Sequence, residues 1–112
     1  MDSKPLTYLQ LTSLEAFIEE LKRRSLCEAR LSDWIQRRDM SERRKFRLTA
    51  LDPTHALILR YETTYYQGLV VYDETGELKK HREEAKRRIA ERLEAKGIRL
   101  LEGEYHAGKI EW

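Results

Sequence analysis

The sequence predicts an α+β fold: one domain over residues 1–112, an antiparallel meander of three to five strands with two main helices packed on one face. Three observations carry this expectation. Residues 55–73, HALILRYETTYYQGLVVYD, are the least charged stretch and alternate with period two, as strands do. Leu14, Phe17, Ile18 and Leu21 recur at helical spacing. Ala85, Ile89 and Leu93 form a narrower stripe on a second, highly charged segment that Gly97 closes.

Taken in order, residues 5–11 (PLTYLQL) read as a short strand whose apolar residues do not alternate cleanly. Thr12 and Glu15 have the spacing of a capping box and start the first helix, which runs through about Arg24. Glu15, Glu19 and Glu20 lie in its early turns and Lys22, Arg23 and Arg24 at its end, an order that complements the helix dipole. Residues 25–44 show no clear period, and Ser32 or Asp33 is placed to cap a short helix through Trp34, Ile35 and Arg38. Alternation returns over 45–51, where Phe46, Leu48 and Ala50 oppose Arg47, Thr49 and Leu51, and Asp52-Pro53 signals a turn.

Residues 55–73 then read as two paired strands. His55, Leu57, Leu59 and Tyr61 share a face of the first; Leu69 and Val71 oppose Val70 and Tyr72 in the second, and Gly68 marks a bulge or a close approach to the backbone. Asp73-Glu74-Thr75-Gly76 fits a type I turn with a hairpin return over 77–81. That reading is preferred to a helix starting at Thr75 because residues 79–84 offer no apolar side chain. A helix follows over 82–96. Ile98, Leu100 and Leu101 open a last strand towards Tyr105, and Ala107-Gly108 turns Ile110 and Trp112 back.

Composition bounds the setting. A chain of 112 residues buries roughly two thirds of its unfolded surface as one domain. The single Cys27 makes no internal disulfide and suits a reducing compartment. No apolar run approaches the ~20 residues of a membrane span, and the first ten residues lack the order of a signal peptide. The expectation is a cytoplasmic protein with no membrane partner. Charged residues make up 38% and Asn is absent, a thermophile-like composition, since ion-pair networks gain value with temperature and amides decompose. The net charge is +2, but residues 22–47 hold ten basic and four acidic side chains and residues 79–96 eight and four. If these segments share a surface, an acidic partner has a place to land.

For chemistry, Asp52, Glu62 and Asp73, with His55 and Glu19 or Glu20, form the tempting catalytic set. A helix, three strands, a helix and a strand is similar to the element order of the PD-(D/E)XK nuclease core, and the resemblance implies carboxylates on a divalent metal with a lysine activating water. The motif itself departs: Thr63 and Thr64 follow Glu62 where the lysine belongs, and Asp52 precedes Pro53 instead of following it. Turn-forming Asp and solvated Glu account for these residues without metal. His55, His81 and His106 lack the short intervals of a zinc site. Cys27 has Arg24 and Arg30 near it but no histidine to act as base, so it reads as a core or boundary residue. The five glycines are scattered, with no phosphate-cradling pattern. No cofactor and no metal are expected.

Two binding features remain. Arg60, Tyr61, Tyr65, Tyr66 and Tyr72 are residue types favoured at protein interfaces, and they point to a non-catalytic interaction domain that self-associates as a homodimer. Alternatively, Arg37, Arg38, Arg43, Arg44, Lys45 and Arg47 neutralise phosphates of a nucleic acid, with a degenerate nuclease-like core as the extreme form of that reading.

Overall fold

The computed structural model describes residues 6–69 and 73–106. It is α+β, with two helices on one face of a five-stranded sheet. The sheet is mixed, however, and not the antiparallel meander expected from the sequence. In chain order the elements are β1 (Thr7–Gln10), α1 (Leu14–Arg23), β2 (Glu28–Arg38), β3 (Ser41–Asp52), β4 (Leu57–Leu69), α2 (Glu77–Glu94) and β5 (Arg99–Glu102). Spatially the strands run β1-β4-β3-β2-β5. β2, β3 and β4 form the meander, and β1 and β5 close its two sides as parallel strands beside β4 and β2. Parallel pairing demands a crossover, and the helices supply both connections.

Three local readings change. Residues 25–44 hold no helix: β2 runs to Arg38 and turns through Asp39-Met40 straight into β3. Asp39 takes φ +56°, a conformation that a short polar side chain tolerates. Residues 57–69 are one strand and not two, because Glu62-Thr63-Thr64-Tyr65-Tyr66 contains strand formers and no turn chemistry. The hairpin return over 77–81 is replaced by the first turns of α2. Asp73 makes that start possible, its carboxylate accepting hydrogen bonds from the Leu78 and Lys79 amides at 3.0 and 3.2 Å. The expected turn-back at Ala107-Gly108 and the face shared by Val70 and Tyr72 lie outside the described residues.

α1 is capped by Ser13, whose hydroxyl accepts from the Ala16 amide, one residue later than the Thr12 box implied. Its stripe of Leu14, Phe17, Ile18 and Leu21 meets Ile89 and Leu93 of α2 over Ala29, Leu31, Phe46, Leu48, Ala50 and Leu59 of the sheet. Phe46 stacks on Tyr65 with ring centroids 4.5 Å apart, and Phe17 tilts against Tyr61 at 6.5 Å. Gly97 closes α2 with φ +74°. Cys27 is exposed and belongs to no core. Among the described residues no helix is long and apolar enough to cross a membrane.

β3 and β4, at 12 and 13 residues, are about twice the usual strand length, so the meander outruns the helices that cover it. The excess forms a three-stranded arm. It stretches the molecule to 49 × 32 × 21 Å and lifts the radius of gyration to 15.5 Å, against roughly 13 Å for a compact chain of this length.

Candidate nucleic-acid interface

Strand pairing and the period-two alternation of side chains sort the arm into two faces. The helix side carries Asp33, Ile35 and Arg37 of β2, Phe46, Arg44 and Glu42 of β3, and Thr63, Tyr66 and Gly68 of β4. Among the described residues the other side has no helix on it. Its rows, from the base of the arm to the tip, are Arg30/Thr49/Arg60, Ser32/Arg47/Glu62, Trp34/Lys45/Thr64, Gln36/Arg43/Gln67 and Arg38/Ser41/Leu69.

The two lower rows are closed by the chain's own acids. Residues after β5 cross them, so that Glu104 binds Arg47 at 2.9 Å and Tyr105 lies under the Arg30 guanidinium, 4.6 Å from it, with its amide on the Thr49 hydroxyl. Glu62 takes the second side of Arg47 at 3.0 Å and also meets Arg60. Burial opposes the Arg47 charge, but Glu104 and Glu62 hold its pKa above the ordinary arginine value. The Tyr105 phenol is pushed up by burial and by its bond to Glu28.

The three rows towards the tip differ. They contain Arg38, Arg43, Lys45, Trp34, Gln36, Gln67, Ser41, Thr64 and Leu69, and no carboxylate. Lys45 sits over the Trp34 ring at 4.9 Å and reaches Glu62 only at 3.8 Å; Arg47 sits over the same ring at 4.8 Å. Gln36, Arg38, Ser41 and Arg43 line a cleft of about 120 Å³. Arg38 and Arg43 are exposed, and neither has a carboxylate at ion-pair distance among the described residues.

The back of the arm is stiffened by a charge that the sequence reading assigned to a phosphate site. Arg37 and Arg44 lie on the helix side and grip Glu42, at 2.9 and 2.8 Å, although only 1% of that carboxylate's side chain is exposed. The Arg44 hydrogen bond, with help from Arg37, holds Glu42 below the usual carboxylate range against the upward push of burial. Asp52 behaves alike: burial would raise it, but Thr54, Arg24 and His55 together hold it low. Both folded-state pKa values lie under their ordinary values of 4.5 and 3.8, so this stability is present at neutral pH and is lost as pH falls below about 4.5. Arg44→Ala leaves Glu42 to the exposed Arg37 and should cost about 1.5–3 kcal/mol. Urea midpoints at pH 7 and pH 3.5 check this, the variant's deficit shrinking at the lower pH.

Of the six cations singled out from sequence, Arg38, Arg43 and Lys45 therefore share the open tip, Arg47 borders it, and Arg37 and Arg44 are behind it. The basic segment 79–96 does not join them. It forms α2 on the opposite side of the sheet, where Arg82, Arg87, Arg88 and Arg92 pair with Asp33, Glu91, Glu84 and Glu15, and Lys86 pairs with Glu102. The proposed interface group is also divided. Tyr61, Tyr65 and Tyr66 are on the helix side of β4 and Arg60 is on the open side, over the Tyr8 ring; Tyr72 lies outside the described residues. Trp34, Gln36 and Gln67 were missed, because nothing in an apparently irregular segment marks which faces its residues take.

Only part of the catalytic set converges, since Arg24 holds Glu20 at 3.0 Å as well as Asp52. Asp52 faces the helices in a network with Arg24 at 2.7 Å and His55 at 2.8 Å, Glu62 faces the other way, and Asp73 caps α2. Among the described residues no group of acidic, histidine and cysteine side chains is arranged to hold a metal ion. Compared with protein-family models, curated proteins and solved structures, the chain matches none.

Proposed function

We propose that this chain is a non-catalytic binding module that lays single-stranded nucleic acid across the open face of its arm. The observation that carries the reading is the tip, where, among the described residues, three cations, two side-chain amides, two hydroxyls and one indole share rows that hold no carboxylate. Cations two residues apart on one strand stand about 6.6–6.8 Å apart and can follow a phosphate backbone. Gln36 and Gln67 each offer donors and an acceptor to base edges, and the edge of the Trp34–Lys45–Arg47 stack gives a base an apolar and cationic neighbour.

The arm's width favours a single strand. A major groove about 12 Å wide admits a two-stranded ribbon. Three strands span about 10 Å between outer axes before any side chain is added, so this arm does not enter a duplex groove. A flat sheet suits splayed bases instead.

Fluorescence anisotropy with a labelled single-stranded oligonucleotide tests the proposal. Arg43→Glu with Lys45→Glu should weaken binding on the order of 100-fold at low salt. Arg87→Glu with Arg88→Glu, on α2, should leave it within about twofold, since those charges lie away from the path and are screened. Equal losses from both pairs, or stronger competition by duplex than by single strand, would contradict the assignment to this face.

A further inference from the structure

The arm also has two lateral edges. β5 covers β2 only from Glu28 to Leu31, and β1 covers β4 only from Leu57 to Arg60. Beyond Arg60 the outer edge of β4 runs for nine residues. The Arg60 carbonyl accepts from the Leu11 amide at 2.8 Å on that side. By period two, the N–H and C=O of Glu62 and Thr64 point the same way, and among the described residues no backbone group meets them. The bulge at Tyr65, opposite Arg44/Lys45, resets the alternation, so the outward groups beyond it are those of Gln67 and Leu69.

Open edges are normally guarded by charge, because they template pairing with another chain. The outer edge of β2 follows that rule, carrying Asp33, Arg37 and Arg38 between Ser32 and Arg38. β4 carries one charge at the base of its open edge, Glu62, which is held by Arg47 and Arg60, and beyond it residues 63–69, TTYYQGL, hold no charged side chain and consist mainly of strand formers. On the helix side the same edge opens into a groove of about 450 Å³, floored by Tyr61, Thr63 and Tyr65, with Ala85 and Ile89 of α2 on its wall beside the polar His81, Glu84, Arg88 and Arg92. α1 is only ten residues long and reaches this part of β4 no further than its first residue, Leu14, at the edge of the groove.

We infer that the β4 edge is a homodimer interface, in which two copies pair antiparallel about a twofold axis near Tyr65. Charge selects a second copy as the occupant. A twofold sets each side chain near the axis against the same segment of the partner, which penalises any charged edge and leaves TTYYQGL without like-charge repulsion. β2, with Arg37 and Arg38 side by side, fails that requirement. Tyrosines of the partner strand enter the groove beside α2, and the two sheets merge into one with both open faces on the same side.

The test is sedimentation of the full chain from 1 to 100 µM. Wild type should reach twice the chain mass. Thr64→Pro removes an outward N–H without touching the β3 ladder and should give a monomer with an unchanged far-ultraviolet spectrum. Thr64→Lys keeps the backbone intact, places like charges near the axis and should also give a monomer. It decides the matter if the proline variant unfolds. A wild-type monomer throughout the range, or a folded Thr64→Lys variant that remains dimeric, overturns the inference.

Discussion

Replacing Phe46 by Ala should lower the unfolding free energy by about 3–5 kcal/mol, the range for truncating a buried aromatic. Phe46 is fully buried, and its ring stacks on Tyr65 with an interplanar angle of 28°. It lies where the helix-covered part of the sheet passes into the arm, opposite Asp33 on one side and Thr63 on the other. The next helix-side row of the arm, Ile35, Arg44 and Tyr66, offers little to fill a cavity there, because Arg44 is tied to Glu42 and the Tyr66 hydroxyl to the Leu69 carbonyl. Equilibrium urea unfolding checks the value. A loss below about 1 kcal/mol would mean that the core ends before Phe46 and that Tyr65 is held by other contacts.

The parts of this fold that were legible in the sequence are those where burial is one-sided. α1 shows its stripe because only one face is covered, and Phe46, Leu48 and Ala50 alternate because helices lie on one side of β3 and polar groups on the other. β2 was illegible for the converse reason. Past Leu31 neither face of that strand is in the main core, so Asp33, Trp34, Ile35 and Gln36 follow no hydrophobic period. Its turn, Asp39-Met40, also lacks the Asn-Gly or Asp-Gly signature of a two-residue hairpin. Residues 79–84 were misread because the first turns of α2 overhang the core and are held by Asp73 and by the Arg82–Asp33 pair, neither of which needs an apolar side chain.

The candidate site was half legible. Counting charge located the arm, since Arg37 through Arg47 are dense in cations. Separating open-face from structural arginines required the register: Arg37 and Arg44 differ from Arg38 and Arg43 by one position, which in a strand reverses the face. Glu42 looked like a diluting negative charge in the sequence. In the fold it holds Arg37 and Arg44 behind the arm, and among the described residues the three outer rows of the front carry no carboxylate.

That front is the central claim, and its salt dependence is the most direct measure of it. Three cations neutralising three phosphates of a single strand release about two counterions, so log K against log salt should fall with a slope of about −2. The wild-type affinity for a single-stranded oligonucleotide should then drop roughly 100-fold over a tenfold rise in salt. Arg38→Gln with Arg43→Gln should reduce the slope to about −0.7, the share of the one remaining cation. Undetectable binding at low ionic strength, or a wild-type slope near zero, would contradict the account.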